Sequence, residues 1–217
     1  MTRVIYDEAG FVFVDEYIGM LPASRQKKAQ RYAFDTDRRL CISSYLLLRK
    51  MCAEIGADIS GHEIVTGRYG KPYLPDFPAI EFSMTHCRKC IGCSVSEHSI
   101  GIDAEEIIHL KPDIVNGLFT SSEIKAIEAS KSPEDETTRI WTVKEAVGKC
   151  SGKGLLSDAM MITASGSHII SRKVFGKIWA SVCSKTPEKI EITSSSFIRL
   201  VHYARIIAKK NTAQDHS

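Results

Sequence analysis

Ser99-Ile100-Gly101-Ile102-Asp103-Ala104-Glu105 is the stretch on which the fold turns, because it predicts a strand that carries two acids. Side chains at i and i+2 of an extended chain point the same way, so Asp103 and Glu105 present two carboxylates on one face. Hard oxygen ligands of this kind suit magnesium, which keeps several of its waters and shares its shell with substrate phosphates. Taken alone, the pair reads more readily as two solvated acids at a strand end.

Working back from there, Ile91–Val95 and Ile80–Met84 predict two more short strands, with turns at His86 to Lys89 and at Glu97-His98. The run Gly67-Arg68-Tyr69-Gly70-Lys71-Pro72-Tyr73, then Pro75 and Pro78, punctuates the chain rather than continuing an element. From Asp37 to about Cys52, Leu40, Leu47, Leu48 and Met51 recur at helical spacing, and Gly56 is a stop. Ser24 to Arg31 is polar and basic, and Phe11–Val14 predicts an early strand.

Working forward, Thr120-Ser121-Ser122-Glu123 has the form of a capping box, so a helix starts there. After a break at Ser132-Pro133-Glu134, residues 135 to 150 read as helix, with Ile140, Trp141 and Val147 on its apolar face and Gly152 and Gly154 ending it. Phe197–Tyr203 predicts a strand, and the tail past Lys210 is polar. The order of strands and helices is similar in the two halves.

The chain has 217 residues, ample for a buried core, and a formal net charge of +3. That mild excess argues against a nucleic-acid binder but suits an acidic protein partner or a phosphate-bearing ligand. The start, Met1-Thr2-Arg3-Val4-Ile5-Tyr6-Asp7-Glu8, lacks a signal-peptide pattern, and the apolar runs are too short to cross a bilayer. Seven cysteines, an odd number, predict free thiols in a reducing, cytoplasmic setting.

A second constellation is Trp141-Thr142-Val143-Lys144-Glu145-Ala146-Val147-Gly148-Lys149. On a helix Trp141, Glu145 and Lys149 share one face, which offers a third carboxylate beside an ammonium. Glu145 suits a metal or a proton, and Lys149 suits the charge on phosphate oxygens. An ordinary exposed Glu-to-Lys pair has the same spacing. A third is Gly70-Lys71-Pro72 with His86, natural phosphate contacts that are also ordinary loop residues. Cys87-x-x-Cys90-x-x-Cys93 lacks the fourth ligand of an iron–sulfur or zinc site and reads as structural. Gly148-Lys149-Cys150-Ser151-Gly152-Lys153-Gly154 fails as a P-loop in spacing and in element order. No hydroxyl belongs to a nucleophile constellation, and the remaining histidines are scattered.

Taken together and in this order, the basic segment, Arg38-Arg39, GKP, a strand ending in His86, GIDAE, and WTVKEAVGK followed by KGL resemble the 4′-phosphopantetheinyl transferase family. The likeness is to its larger, surfactin-synthetase-activating type and runs from about residue 25 to 157. It implies an α+β fold of two similar α/β halves related by pseudo-twofold symmetry, residues 1–101 contacting coenzyme A and 102–217 carrying the metal and catalytic residues. It implies magnesium held by Asp103, Glu105 and Glu145, with Glu145, Lys149 and His86 as catalytic groups. The coenzyme A contacts it implies are Lys28, Arg31, Arg38 or Arg39, Gly70, Lys71, Pro72, Thr85, His86, Lys144 and Lys149.

The implied reaction moves the phosphopantetheine arm of coenzyme A onto a serine of an acyl- or peptidyl-carrier protein. It would serve fatty acid, polyketide or nonribosomal peptide synthesis rather than lysine synthesis. The protein would be a cytoplasmic monomer, bound to neither nucleic acid nor membrane. The family's usual Asn-x-Ser-His-Ser run is here Ser83, Thr85, His86 and Cys87, so a supporting amide is lost while the phosphate-binding hydroxyl is kept. Ile107 to Phe119, with Ile114, Leu118 and Phe119 as apolar points, is the expected carrier-docking segment. The alternatives are an inactive coenzyme A or carrier-binding protein, and another magnesium-dependent phosphotransferase or phosphodiesterase.

Overall fold

The strand alternation and helical periodicity place most of the chain's elements. The computed structural model describes residues 2–8, 15–154, 166–187, 189–195 and 197–214. In chain order the elements are β1 (Thr2–Glu8), a 3-10 turn (Asp15–Met20), α1 (Ala23–Gln30), α2 (Asp35–Glu54), β2 (Val65–Thr66), β3 (Pro72–Tyr73), β4 (Glu81–Cys87), β5 (Cys90–Ser96), β6 (Ile100–Glu105), α3 (Pro112–Leu118), α4 (Ser121–Ala129), α5 (Pro133–Ser151), β7 (His168–Val174), β8 (Ile178–Ser184), β9 (Ile190–Ser195) and α6 (Phe197–Gln214).

The fold is α+β. One sheet has the strand order β4-β5-β1-β9, antiparallel except for the β1–β9 pair, and another has the antiparallel order β6-β8-β7. Helix α2 backs the first through Tyr45, Leu46, Leu48 and Met51, all 1% exposed or less. Each such side chain contributes about 1.5–3 kcal/mol of burial. Helix α5 backs the second, packed on β6 and β8. The plan strand, helix, hairpin therefore occurs twice, with orders β1-β5-β4 and β6-β8-β7.

The two sheets meet where β6 packs against β4 and β5. There the Ser83 hydroxyl accepts the Ile102 N–H at 3.1 Å, and the Tyr6 hydroxyl donates to the backbone oxygens of Ser181 at 3.2 Å and Asp103 at 3.4 Å. Ser83 thus supplies a supporting hydrogen bond of its own where the resemblance implies an amide. Along β6, Ile100, Ile102 and Ala104 fill the apolar layer with Val4 and Tyr6. Gly101 faces α5, and by the strand period Asp103 and Glu105 do too.

Helix α5 starts with Pro133 at its first turn and Glu134, Asp135 and Glu136 against its positive end, and it closes on Gly152 in the left-handed region (φ 72). The capping box at α4 forms as the sequence predicts: Thr120 N–H donates to Glu123 Oε2 at 2.7 Å and Glu123 N–H to Thr120 Oγ1 at 3.2 Å.

Two expectations are corrected. Phe197–Tyr203 is not a strand but the start of α6, because Leu200, Val201, Ala204 and Ala208 recur at helical spacing and pack into the α2 core. His86 lies within β4, whose hairpin turns later, at Arg88-Lys89. The strand expected at Phe11–Val14 falls outside the described residues. Among the described helices, none is long and apolar enough to cross a membrane.

Candidate functional site

Asp103 is the node of the site. It is 3% exposed, at the middle of β6, and its Oδ1 accepts hydrogen bonds from Lys149 Nζ at 2.7 Å and Thr85 Oγ1 at 2.9 Å. One atom thus gathers β4, β6 and α5. Its other oxygen, Oδ2, is buried and has no hydrogen-bond partner. A buried carboxylate oxygen left in that state is costly, and a cation is the partner that suits it.

Glu105 and Glu145 stand half-buried around this node. Burial, the charge of Asp103, Cys87 and then Glu145 push the Glu105 carboxyl up to about 8, with Lys149 opposing. Burial also raises Glu145, with Lys149 opposing and Asp103 adding to the rise. The three expected metal acids are therefore brought into electrostatic contact across β6 and α5. Among the described residues no three acidic, imidazole or thiol groups already form a closed cage. The donor set nevertheless fits magnesium, which needs only one or two carboxylates alongside waters and phosphate oxygens.

The raised carboxyls carry a sign. The folded chain holds protons between the ordinary glutamate value of 4.5 and about 8 that the unfolded chain has released. Stability without metal therefore falls as pH rises through that window. The melting temperature in chelator is expected to drop across it, Glu105→Gln to flatten the drop, and added magnesium to restore the loss at pH about 8. An unchanged slope in Glu105→Gln would count against Glu105 as the titrating group.

Beside the acids lies a cleft of about 280 Å³, walled by Arg25, Lys28, Tyr32, Ser44, Gly70, Pro72 and His86 among others. A second, of about 210 Å³, runs between Gly70-Lys71-Pro72 and the end of α5 at Lys149, Gly152 and Gly154. His86 stays solvent-accessible, yet crowding by the cleft walls, and then Lys149 and Lys28, hold it below the usual imidazole range, with Asp37 opposing. A neutral ring among cations is poised to gain a proton when phosphate enters. Lys71 Nζ is held by Glu81 Oε2 at 2.7 Å and reaches Ser99 Oγ at 3.4 Å.

Of the residues expected on the coenzyme, Lys28, Gly70, Lys71, Pro72, His86 and Lys149 line these clefts, and Thr85 binds Asp103. Four stand elsewhere. Arg38 and Arg39 both place Nε on the Asp15 carboxylate, at 2.9 and 3.1 Å, so neither is singled out. Arg31 is exposed at the end of α1 and lines neither cleft.

Lys144 is set apart from the clefts. It is 2% exposed, with Nζ 3.0 Å from Glu123 Oε2 and over the Phe119 ring, because its place on α5 faces α4.

The sequence reading counted Arg25 within the basic run but gave it no contact of its own. Its Nε is buried without a partner in the first cleft, while Nη2 meets Met84 Sδ at 3.3 Å. The signal was present: Arg25 and Lys28 are i, i+3 on α1 and share a face.

Comparison with known proteins gives the following likenesses. Residues 99–175 match the family model of the 4′-phosphopantetheinyl transferase superfamily. A 4′-phosphopantetheinyl transferase of Bacillus subtilis is 30% identical over 145 residues, 65% of this chain and 64% of that protein. Over these stretches the chain is similar to the 4′-phosphopantetheinyl transferase superfamily. Within it the likeness extends to Sfp of Bacillus subtilis strain 168, 26% identical over 144 residues (65% of this chain, 64% of Sfp). The L-aminoadipate-semialdehyde dehydrogenase-phosphopantetheinyl transferase of Schizosaccharomyces pombe is 25% identical over 169 residues, 67% of this chain and 64% of that protein. Each match spans just under two thirds of the relative's length.

Proposed function

We propose that this protein is a magnesium-dependent 4′-phosphopantetheinyl transferase acting on coenzyme A and an apo carrier protein. The observation that carries the reading is the convergence of Asp103, Glu105, Glu145 and Lys149 beside a basic cleft, with a buried Asp103 oxygen left unpartnered. The carrier serine hydroxyl attacks the β-phosphorus of coenzyme A, a new O–P bond forms, and adenosine 3′,5′-bisphosphate leaves. Glu145, held above the ordinary carboxylate range, accepts the serine proton.

Lys149 faces charge on the pyrophosphate oxygens, and Arg25, Lys28 and His86 face the nucleotide's phosphate. Magnesium on Asp103, Glu105 and Glu145 would supply electrostatic stabilisation of the phosphate oxygens. The repeated strand order supports two similar halves, 1–101 and 102–217, related by pseudo-twofold symmetry, although β9 and α6 return to the first sheet and to α2. One chain holds every group named, which supports a monomer, and we place it in the cytoplasm.

The carrier-docking expectation narrows. Phe119 is 1% exposed and Leu118 packs on the same cluster, whereas Ile114 is 44% exposed on α3. Ile114→Asp is expected to raise the KM for carrier roughly tenfold and to leave coenzyme A binding alone, since a charge in an interface core costs 1–2 kcal/mol or more. An equal loss of coenzyme A affinity would place the residue elsewhere.

The test of function is the intact mass of an apo carrier after incubation with the protein, coenzyme A and magnesium. A gain of one phosphopantetheine arm that needs magnesium supports the reading. No gain across several carrier types, with coenzyme A still bound, supports an inactive binding protein. Turnover of a nucleotide without any carrier supports another phosphotransferase or phosphodiesterase.

A further inference from the structure

The β4–β5 hairpin divides Cys87-x-x-Cys90-x-x-Cys93 into a pair and an outsider. Cys87 and Cys90 are directly opposed across the two-residue turn Arg88-Lys89. Both belong to the apolar layer shared by the two sheets. Cys93, an odd number of residues on, points to the other face and packs in the α2 core. Opposed residues in an antiparallel ladder have Cα atoms about 4.5–5.5 Å apart, inside the range that a disulfide spans. The Cys90 thiol donates to the Ile91 carbonyl at 3.5 Å, and its interaction with the Cys87 sulfur holds Cys87 below the usual thiol range.

We propose that Cys87 and Cys90 are a dithiol redox site, closed to an intramolecular disulfide by a peroxide and reopened by a thiol reductant, and that closure switches the transferase off. Cys87 is 8% exposed beside two exposed basic residues while Cys90 is fully buried, so Cys87 attacks and Cys90 resolves. The Cys87 sulfur displaces water from hydrogen peroxide and becomes a sulfenic acid. The Cys90 sulfur then attacks the Cys87 sulfur; the S–S bond forms, the S–O bond breaks, and a second water leaves. Two thiols lose two electrons and two protons, and the peroxide takes them.

The hairpin carries the effect to the site. Bonding draws two separate sulfurs to about 2.05 Å inside a close-packed layer. Cys87 is one residue from His86 and two from Thr85, which holds Asp103. A displacement near 1 Å there is expected to lower transfer at least tenfold, within the roughly 100-fold such misplacements cost.

The activity arm rests on the transferase reading; the thiol chemistry does not. The full-length protein is treated with hydrogen peroxide, then split for thiol titration, peptide mapping and the carrier-mass assay. A parallel sample receives dithiothreitol. Expected are an 87–90 disulfide peptide lighter by two hydrogens, activity lost with it, and recovery in dithiothreitol. Cys87→Ser, which places in this chain the residue of the family's run, is expected to stay active in peroxide.

Peptide mapping separates this pair from Cys150 and Cys183, whose thiols also touch. The proposal fails if Cys87 and Cys90 stay reduced while the protein is inactivated, if the disulfide forms without loss of transfer, or if Cys87→Ser is inactivated alike. A reduced protein that transfers nothing would sink the function assigned above, while the mapped disulfide would still decide the dithiol.

Discussion

In the proposed transfer reaction, Asp103→Asn is expected to lower kcat/KM for the carrier by about three orders of magnitude while leaving the fold in place. The substitution keeps the shape of the side chain and one oxygen to accept from Thr85, so the contact between β4 and β6 survives. What it removes is charge. Lys149 Nζ, 2.7 Å from Oδ1, loses its counterion, and the buried Oδ2 position becomes an amide that repels a cation.

In the proposed reaction both partners would act on the same phosphate oxygens, so the effect is not the sum of two small ones. Alanine would also leave the Thr85 hydroxyl without its partner and mix stability with chemistry, which is why asparagine is the cleaner change. The measurement is a time course of carrier mass at saturating coenzyme A, with melting temperature recorded alongside. A fall of less than tenfold, with the fold intact, would remove Asp103 from the centre of the mechanism. Raising magnesium is expected to recover only part of the loss, because the ion pair with Lys149 is gone at any metal concentration.

The parts of this site that were legible share a physical feature: their signal is local. Period-two alternation placed Asp103 and Glu105 on one strand face, and period 3.6 placed Glu145 and Lys149 on one helix face. The capping box at Thr120 was legible because its two hydrogen bonds are made by residues three apart. Non-local features were not. That β9 pairs in parallel with β1, about 190 residues away, has no sequence signature within either strand. The apolar and aromatic residues from 197 to 203 fit a strand as well as a helix, and packing against α2 decides between them. Lys144 and Lys149 lie on one helix, yet five residues turn them to different sides, so only one reaches Asp103.

Gly101→Ala is expected to be the most damaging single methyl that can be added near the site, because Gly101 fixes how close α5 comes to β6. A Cβ there would stand 2.0 Å from the Ala146 carbonyl oxygen and 2.3 Å from the Cys150 N. Both obstacles are backbone of the helix, so no rotamer change relieves them, and α5 as a body has to lift. The helix carries Glu145 and Lys149, so the lift separates both from the β6 carboxylates. A destabilisation of about 3 kcal/mol or more is expected, which for a chain of this size is a fall in melting temperature of about 10 °C. Transfer is expected to fall at least 100-fold even at temperatures where the protein stays folded.

Gly117→Ala supplies the contrast, since nothing lies within 4 Å of a Cβ at that α3 position. It is expected to be neutral or to stabilise by up to about 1 kcal/mol, as alanine does for glycine within a helix. If Gly101→Ala melted and turned over like the parent, the close approach of α5 to β6 would not be what brings the ammonium to the carboxylate. Part of the resemblance read in Gly101-Ile102-Asp103 is on this geometry a packing requirement: the glycine admits the helix, and the helix brings Lys149 to the aspartate.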